Sequence, residues 1–153
     1  MRATRVFSVL AALAVIGVSC KDEVTGIPAG LEVYTATLNG ANETPAVTTT
    51  ATGTAIVTVL GNQVTWKVDI LTPIDSITLG HIHRHHPDTA FGNVQVNFNP
   101  TPTGPGFTGT ATVGSQAGVH DSILALMRAG RSYVNIHTKL HGGGEIRGTL
   151  VKQ

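Results

Sequence analysis

Thr52-Gly53-Thr54-Ala55-Ile56-Val57-Thr58-Val59-Leu60 runs through Gly61-Asn62 into Gln63-Val64-Thr65-Trp66-Lys67-Val68-Asp69-Ile70. In the second arm Val64, Trp66, Val68 and Ile70 alternate with Thr65, Lys67 and Asp69. A period of two puts the apolar set on one face of a strand and the polar set on the other. Two such arms joined by two turn-forming residues predict an antiparallel hairpin with one buried face. The only tryptophan, Trp66, is then a core residue.

The same rhythm extends in both directions. Strands are predicted over 31–38, 77–84, 92–98, 107–113, 133–138 and 145–151, with Asn39-Gly40 and Gly142-Gly143-Gly144 as turns. Residues 41–50, with Pro45, read as a loop or edge, and 101–106 as a loop. Around 77–84 the parity conflicts, because Ile77 and Leu79 fall in phase with His81 and His83 while Ile82 does not. One extra residue resolves this, which predicts a β-bulge near Gly80. Helical spacing occurs once, at Ile123, Leu124 and Met127, with Asp121 as the expected N-cap and Gly130 as the C′ residue. About eight short strands and one short helix predict an all-β domain, a Greek-key β-sandwich or flattened barrel.

The strands also carry polar residues next to core positions. If Ile82, Val134, Ile136 and Ile146 point inward, then His81, His83, Asn135, His137, Glu145 and Arg147 point outward together. Val94, Val96 and Phe98 set Gln95 and Asn97 outward in the same way. Three neutral imidazoles are a donor set for one copper or zinc ion, with a position left open. The alternative is structural, with the histidines bonding to one another, to backbone groups and to Glu145. His85, His86, His120 and His141 are candidates for a second, weaker metal-binding surface; a solvated loop is the plainer reading for His85 and His86.

Composition narrows the function. Charged residues are 12% and net charge is +1, which gives no basic footprint for nucleic acid. No nucleophile elbow or phosphate-binding glycine loop is visible, and Gly142-Gly143-Gly144 opens no helix. Residues 1–19 read as a signal peptide: Arg2 and Arg5 precede an apolar run too short to span a bilayer. The single cysteine, Cys20, ends that run and resembles a bacterial lipoprotein's lipidated cysteine, which predicts a membrane anchor. Lys21-Asp22-Glu23 resembles a surface-export signal, so the expected location is the cell envelope, at the outer membrane or cell surface. Residues 20–30 form the tether and 31–153 the domain. With one cysteine the domain has no internal disulfide. Asn42-Glu43-Thr44 matches a glycosylation acceptor, read in a bacterial lipoprotein as chance.

Several phrases together resemble the CHRD domain, the module named after repeats in chordin. They are Leu38-Asn39-Gly40-Ala41-Asn42-Glu43-Thr44-Pro45-Ala46-Val47, Gly80-His81-Ile82-His83, Ala129-Gly130-Arg131-Ser132-Tyr133-Val134-Asn135-Ile136-His137-Thr138 and Gly144-Glu145-Ile146-Arg147-Gly148. The resemblance implies a secreted or surface module with a protein or glycan partner. More distantly, the motif order is similar to copper–zinc superoxide dismutase, an eight-stranded Greek-key barrel. That likeness implies metal ligands at His81, His83 and His137 and an anion-steering arginine at Arg147. The chain departs from it at Asn97, where the family's metal-bridging histidine stands, and lacks the zinc loop. These readings converge on a non-enzymatic binding or surface-interaction module with one His-ligated metal. Glu145, Arg147 and Asn97 surround the ligands in that reading. A copper-only dismutase and a metal storage or delivery protein are the alternatives.

Overall fold

The computed structural model describes residues 28–85, 92–99, 106–114 and 122–153. Cys20, the leader and most of the tether lie outside the described residues, as do His86, His120, Asp121 and most of the 101–106 loop. Among the described residues nine strands form one antiparallel sheet. They are β1 (Glu32–Asn39), β2 (Thr52–Leu60), β3 (Gln63–Ile70), β4 (Ile77–Arg84), β5 (Val94–Asn97), β6 (Gly106–Thr112), β7 (Ser132–Thr138), β8 (Ile146–Thr149) and β9 (Val151–Lys152). The order across the sheet is β5-β4-β7-β8-β1-β2-β3-β6, with β9 paired to β1. Pairing of β3 with β6 and of β4 with β7 skips intervening strands, as in a Greek key. The sandwich-or-barrel alternative resolves to a single curled sheet, an almost closed barrel.

An aromatic cluster joins the two ends of the sheet. Phe98, directly after β5, stacks on Trp66 of β3 at 4.9 Å and lies 5.8 Å from Phe107 of β6. Gly80 of β4 leaves room for this cluster, since a Cβ there would meet Phe98, Ile136 and Phe107 at 3.2–3.3 Å. Opposite Trp66 on β6 stands Gly109, where a Cβ would run into the indole. The remaining interior is aliphatic, with Leu38, Val57, Val68, Ile82, Val134 and Ile136 fully buried.

The hairpin at 52–70 pairs residue for residue from Gly53–Ile70 to Leu60–Gln63. The parity conflict resolves as expected: the register slips between Ile77 and Leu79, so Ile77, Gly80 and Ile82 are all buried. The predicted strand 145–151 divides instead. β8 ends at Thr149, Leu150 turns into the core, and β9 moves over to β1. Ser122 stands at the N-terminal position of the helix α1 (Ile123–Arg128) without a side-chain capping bond, its hydroxyl donating to Gln95 at 3.0 Å, and Gly130 closes the helix at φ +66°. There the Arg131 N–H reaches the Leu126 carbonyl, the paired bonding of a Schellman end. Arg128 and Lys152 both bind the Glu32 carboxylate, at 2.6 and 2.8 Å, which ties α1 and β9 to β1 and holds that carboxyl down at about 2. The Gln153 N–H continues β9 by bonding the Val33 carbonyl.

Gly109→Val overpacks the Trp66 contact. The expected cost is about 1–3 kcal/mol, read as a lower urea midpoint together with an altered Trp66 emission spectrum in the native state.

Candidate metal centre

On the outer face of β4 and β7 the register sets His81 opposite Asn135, His83 opposite Tyr133 and Leu79 opposite His137. The bulge ahead of Gly80 is what allows this phase, because it turns His81 and His83 outward while Ile77 stays inside. One ligand nitrogen each from His81, His83 and His137 lies within 4.8 Å of the others. The outward residues are not solvated. The three histidines are 7%, 8% and 8% exposed, and Asn135, Glu145 and Arg147 are also buried. Alternation separated the two faces correctly, but the outer one is covered, partly by the 40–51 segment and the 141–144 turn.

Hydrogen bonds fix the tautomers. His137 Nδ1 lies 3.0 Å from the Gly142 carbonyl and His83 Nδ1 2.8 Å from the Gly92 carbonyl. A carbonyl only accepts, so both rings carry their proton on Nδ1 and present a lone pair at Nε2. His137 Nε2 takes the Nδ1 proton of His81 at 3.1 Å. His83 Nε2 is buried and has no hydrogen-bond partner among the described residues. A tetrahedral ion with bonds of about 2.0–2.1 Å needs ligand nitrogens about 3.3 Å apart. The His81–His137 pair is already near that spacing, with a proton where the ion would sit, and His83 brings the third ligand nitrogen within 4.8 Å of the other two.

Burial keeps these rings uncharged. It pushes His81 down to about 4, with His137 and His83 adding to the effect. For His83 burial lowers the pKa most; the Gly92 carbonyl opposes it, and His137 and Arg147 add to it. For His137 burial again dominates, against the Gly142 carbonyl. Neutral imidazole is the form that binds a metal.

A second layer braces the first. Tyr133 stacks on His83 at 5.0 Å, nearly parallel, and its hydroxyl accepts the Gly92 N–H. Arg147 of β8 lies over the Tyr133 ring, its Cζ 3.5 Å from the centroid. Gly92 must be a glycine, since a Cβ would collide with the Arg84 backbone. Glu145, expected near the histidines, accepts instead from the Thr49 and Thr138 hydroxyls, each at 2.7 Å. Asn97 stands opposite His81 on β5, and with Thr78, Leu79 and Asn99 the pair lines a shallow groove of about 300 Å³. His85 is exposed and meets only the edge of Tyr133 among the rings, while His141 serves the turn after β7 through its backbone. Neither joins the triad.

Tyr133 and Glu43 also belong to this region. Tyr133 shares its phase with Asn135 and His137 and was recoverable from alternation. Glu43, buried beside Arg147, sits in an irregular segment with no period to reveal it.

An almost closed Greek-key barrel with a buried three-histidine cluster on its outer face is the class of protein these features define. The family model for the CHRD domain matches residues 34–150, and the chain belongs to that family. No curated protein and no solved structure gives a significant match. Among the described residues no helix is long and apolar enough to cross a membrane.

Because all three folded-state values are lowered, the unfolded chain binds these protons more readily. The stability they contribute is complete above about pH 6.5 and is lost as pH falls toward the folded values. The triad's contribution to the stability of metal-free protein is therefore expected to fall from about pH 6.5 toward about pH 4, so that a His81→Asn variant loses less than wild type over that range. Urea midpoints measured across that range check the difference.

Proposed function

We propose that the chain is an extracytoplasmic binding module that holds one transition-metal ion through His81 Nδ1, His83 Nε2 and His137 Nε2, with the His81 proton moving from Nδ1 to Nε2 as the ion replaces the His81–His137 hydrogen bond. The observation that carries this reading is the buried Nε2 of His83, without a partner among the described residues, beside the close His81–His137 pair. A buried acceptor without a partner costs about 1–3 kcal/mol, and a metal ion converts that cost into a bond. The donor set fits copper or zinc, since imidazole suits both. Such an ion would supply a Lewis acid and, as copper, a one-electron centre. The protein's own part is to keep the rings neutral, fix their tautomers through Gly92 and Gly142, and hold the site largely dry.

The rest of the reading is anchoring and recognition. Lipidated Cys20 would hold the barrel at the envelope, at the outer membrane or cell surface, through the 20–30 tether. There it meets a protein or glycan partner; the weak overall charge argues against nucleic acid.

The test is titration of the full chain with copper(II) and with zinc(II), beside the triple variant His81→Ala/His83→Ala/His137→Ala. One tight equivalent per chain is expected, lost in the variant, with the bound metal raising stability by about 2.7 kcal/mol at a hundredfold excess over Kd. Equal weak binding by both proteins would make the triad structural and leave partner recognition as the function. A superoxide-turnover assay on the loaded protein then tells a holding site from a redox enzyme.

A further inference from the structure

The 40–51 segment leaves β1 through a 3-10 turn (Gly40–Asn42) and lies over the outer face of β7 and β8. Polar bonds fasten it at both ends. The Asn42 side chain donates to the Arg147 carbonyl, and Thr49 donates to Glu145. Between them Glu43 enters the layer and is 8% exposed. Its Oε1 and the Oδ1 of Asn135, a residue 3% exposed, converge over the Cα of Gly144. They lie 2.6 and 2.5 Å from the point where a Cβ would stand, and the Asn135 Nδ2 lies 2.6 Å from it. Gly144 makes the approach possible by having no side chain, and its φ of +129° suits glycine.

Both oxygens are buried, and neither has a hydrogen-bond partner among the described residues. Two acceptors gathered over one glycine in a dry site repel, and each is left unsatisfied. One proton removes both problems. We propose that Glu43 is carried as the neutral acid in the folded protein and donates its proton to Asn135 Oδ1, a proton-held latch that fastens the 40–51 segment to β7. A cation other than a proton is disfavoured there, because the Arg147 guanidinium is close enough to act on the same carboxyl.

The balance of forces agrees with the geometry. Burial raises Glu43 to about 7, outweighing the opposing pull of Arg147 and of the Thr44 N–H. The titratable groups on the neighbouring elements are Arg147 and Glu145 at β8, Tyr133 and His137 on β7, and His81, His83 and His85 on or just past β4. Of these, Arg147 is the one whose charge bears on Glu43. With its folded value raised, Glu43 contributes stability that is complete below about pH 4.5 and lost as pH rises through about 7. This is opposite in sign to the triad, so the two are separable by substitution. The latch does not depend on whether the triad holds a metal.

The experiment uses metal-free full-length protein, its Glu43→Gln variant and its Glu43→Ala variant. Glutamine keeps a donor for Asn135 Oδ1 but cannot ionise. The Glu43 carboxyl carbon, assigned by NMR as the signal missing from Glu43→Gln, is expected to titrate with a midpoint near 7. Between pH 5 and 8 the wild-type unfolding constant is expected to rise about a hundredfold relative to that of Glu43→Gln. Glu43→Ala, with no donor, is expected to unfold more easily than Glu43→Gln throughout. A carboxyl midpoint near 4.5 would overturn the proposal, since Glu43 would then be an anion at neutral pH with the Asn135 amide turned to donate to it. Identical pH profiles for wild type and Glu43→Gln would overturn it equally.

Discussion

A strand buried on both faces is the constraint from which the rest of this molecule follows. Every residue of β7 is buried, although only alternate ones meet the apolar interior. Val134 and Ile136 supply the barrel core, while Tyr133, Asn135 and His137 face a second, polar interior. Water does not reach that layer freely, so its donors and acceptors must find each other. His137 is bonded by Gly142 and His81, His83 by Gly92, and Glu145 by two threonine hydroxyls. The bonds to Gly92, Gly142 and Thr49 also hold connecting segments down onto the sheet. The covering of the layer and the satisfaction of its polar groups are therefore the same set of contacts.

Backbone carbonyls do much of this work at positions without side chains. Gly92 and Gly142 each present a carbonyl to an imidazole Nδ1, which leaves the Nε2 atoms of His83 and His137 turned toward a common point. Gly144 admits the Glu43 and Asn135 side chains above it. The glycines that punctuate the sequence as turns thus also set the tautomers and the packing of the outer layer. Tyr133 links the two halves, lying between His83 on one neighbouring strand and Arg147 on the other.

Much of this was legible in the sequence, and the physical reason is periodicity. The hairpin at 52–70, the inward set of Ile82, Val134, Ile136 and Ile146, and the bulge before Gly80 all follow from a two-residue repeat. So does the gathering of His81, His83 and His137 on one face, once β4 and β7 pair. Alternation cannot say whether an outward face is wet, because that depends on loops far away in sequence. The burial of the histidines and the occupation of Glu145 by Thr49 and Thr138 were for that reason hidden. Glu43 was hidden more deeply, in a segment without any repeat. The split of the last strand was also invisible, since Leu150 looks like any other apolar position until β9 is seen to pair with β1.

That last pairing has a consequence for architecture beyond the barrel itself. β9 runs beside the opening half of β1, and the Gln153 N–H bonds the Val33 carbonyl. The polypeptide therefore enters and leaves the barrel at neighbouring points. A unit built this way behaves as a cassette: it can be spliced into a surface loop of another protein, or strung in tandem on short connectors, without stretching its own strands. Joining its two ends and opening a hairpin elsewhere would change the order of the strands in the chain but not their places in the sheet.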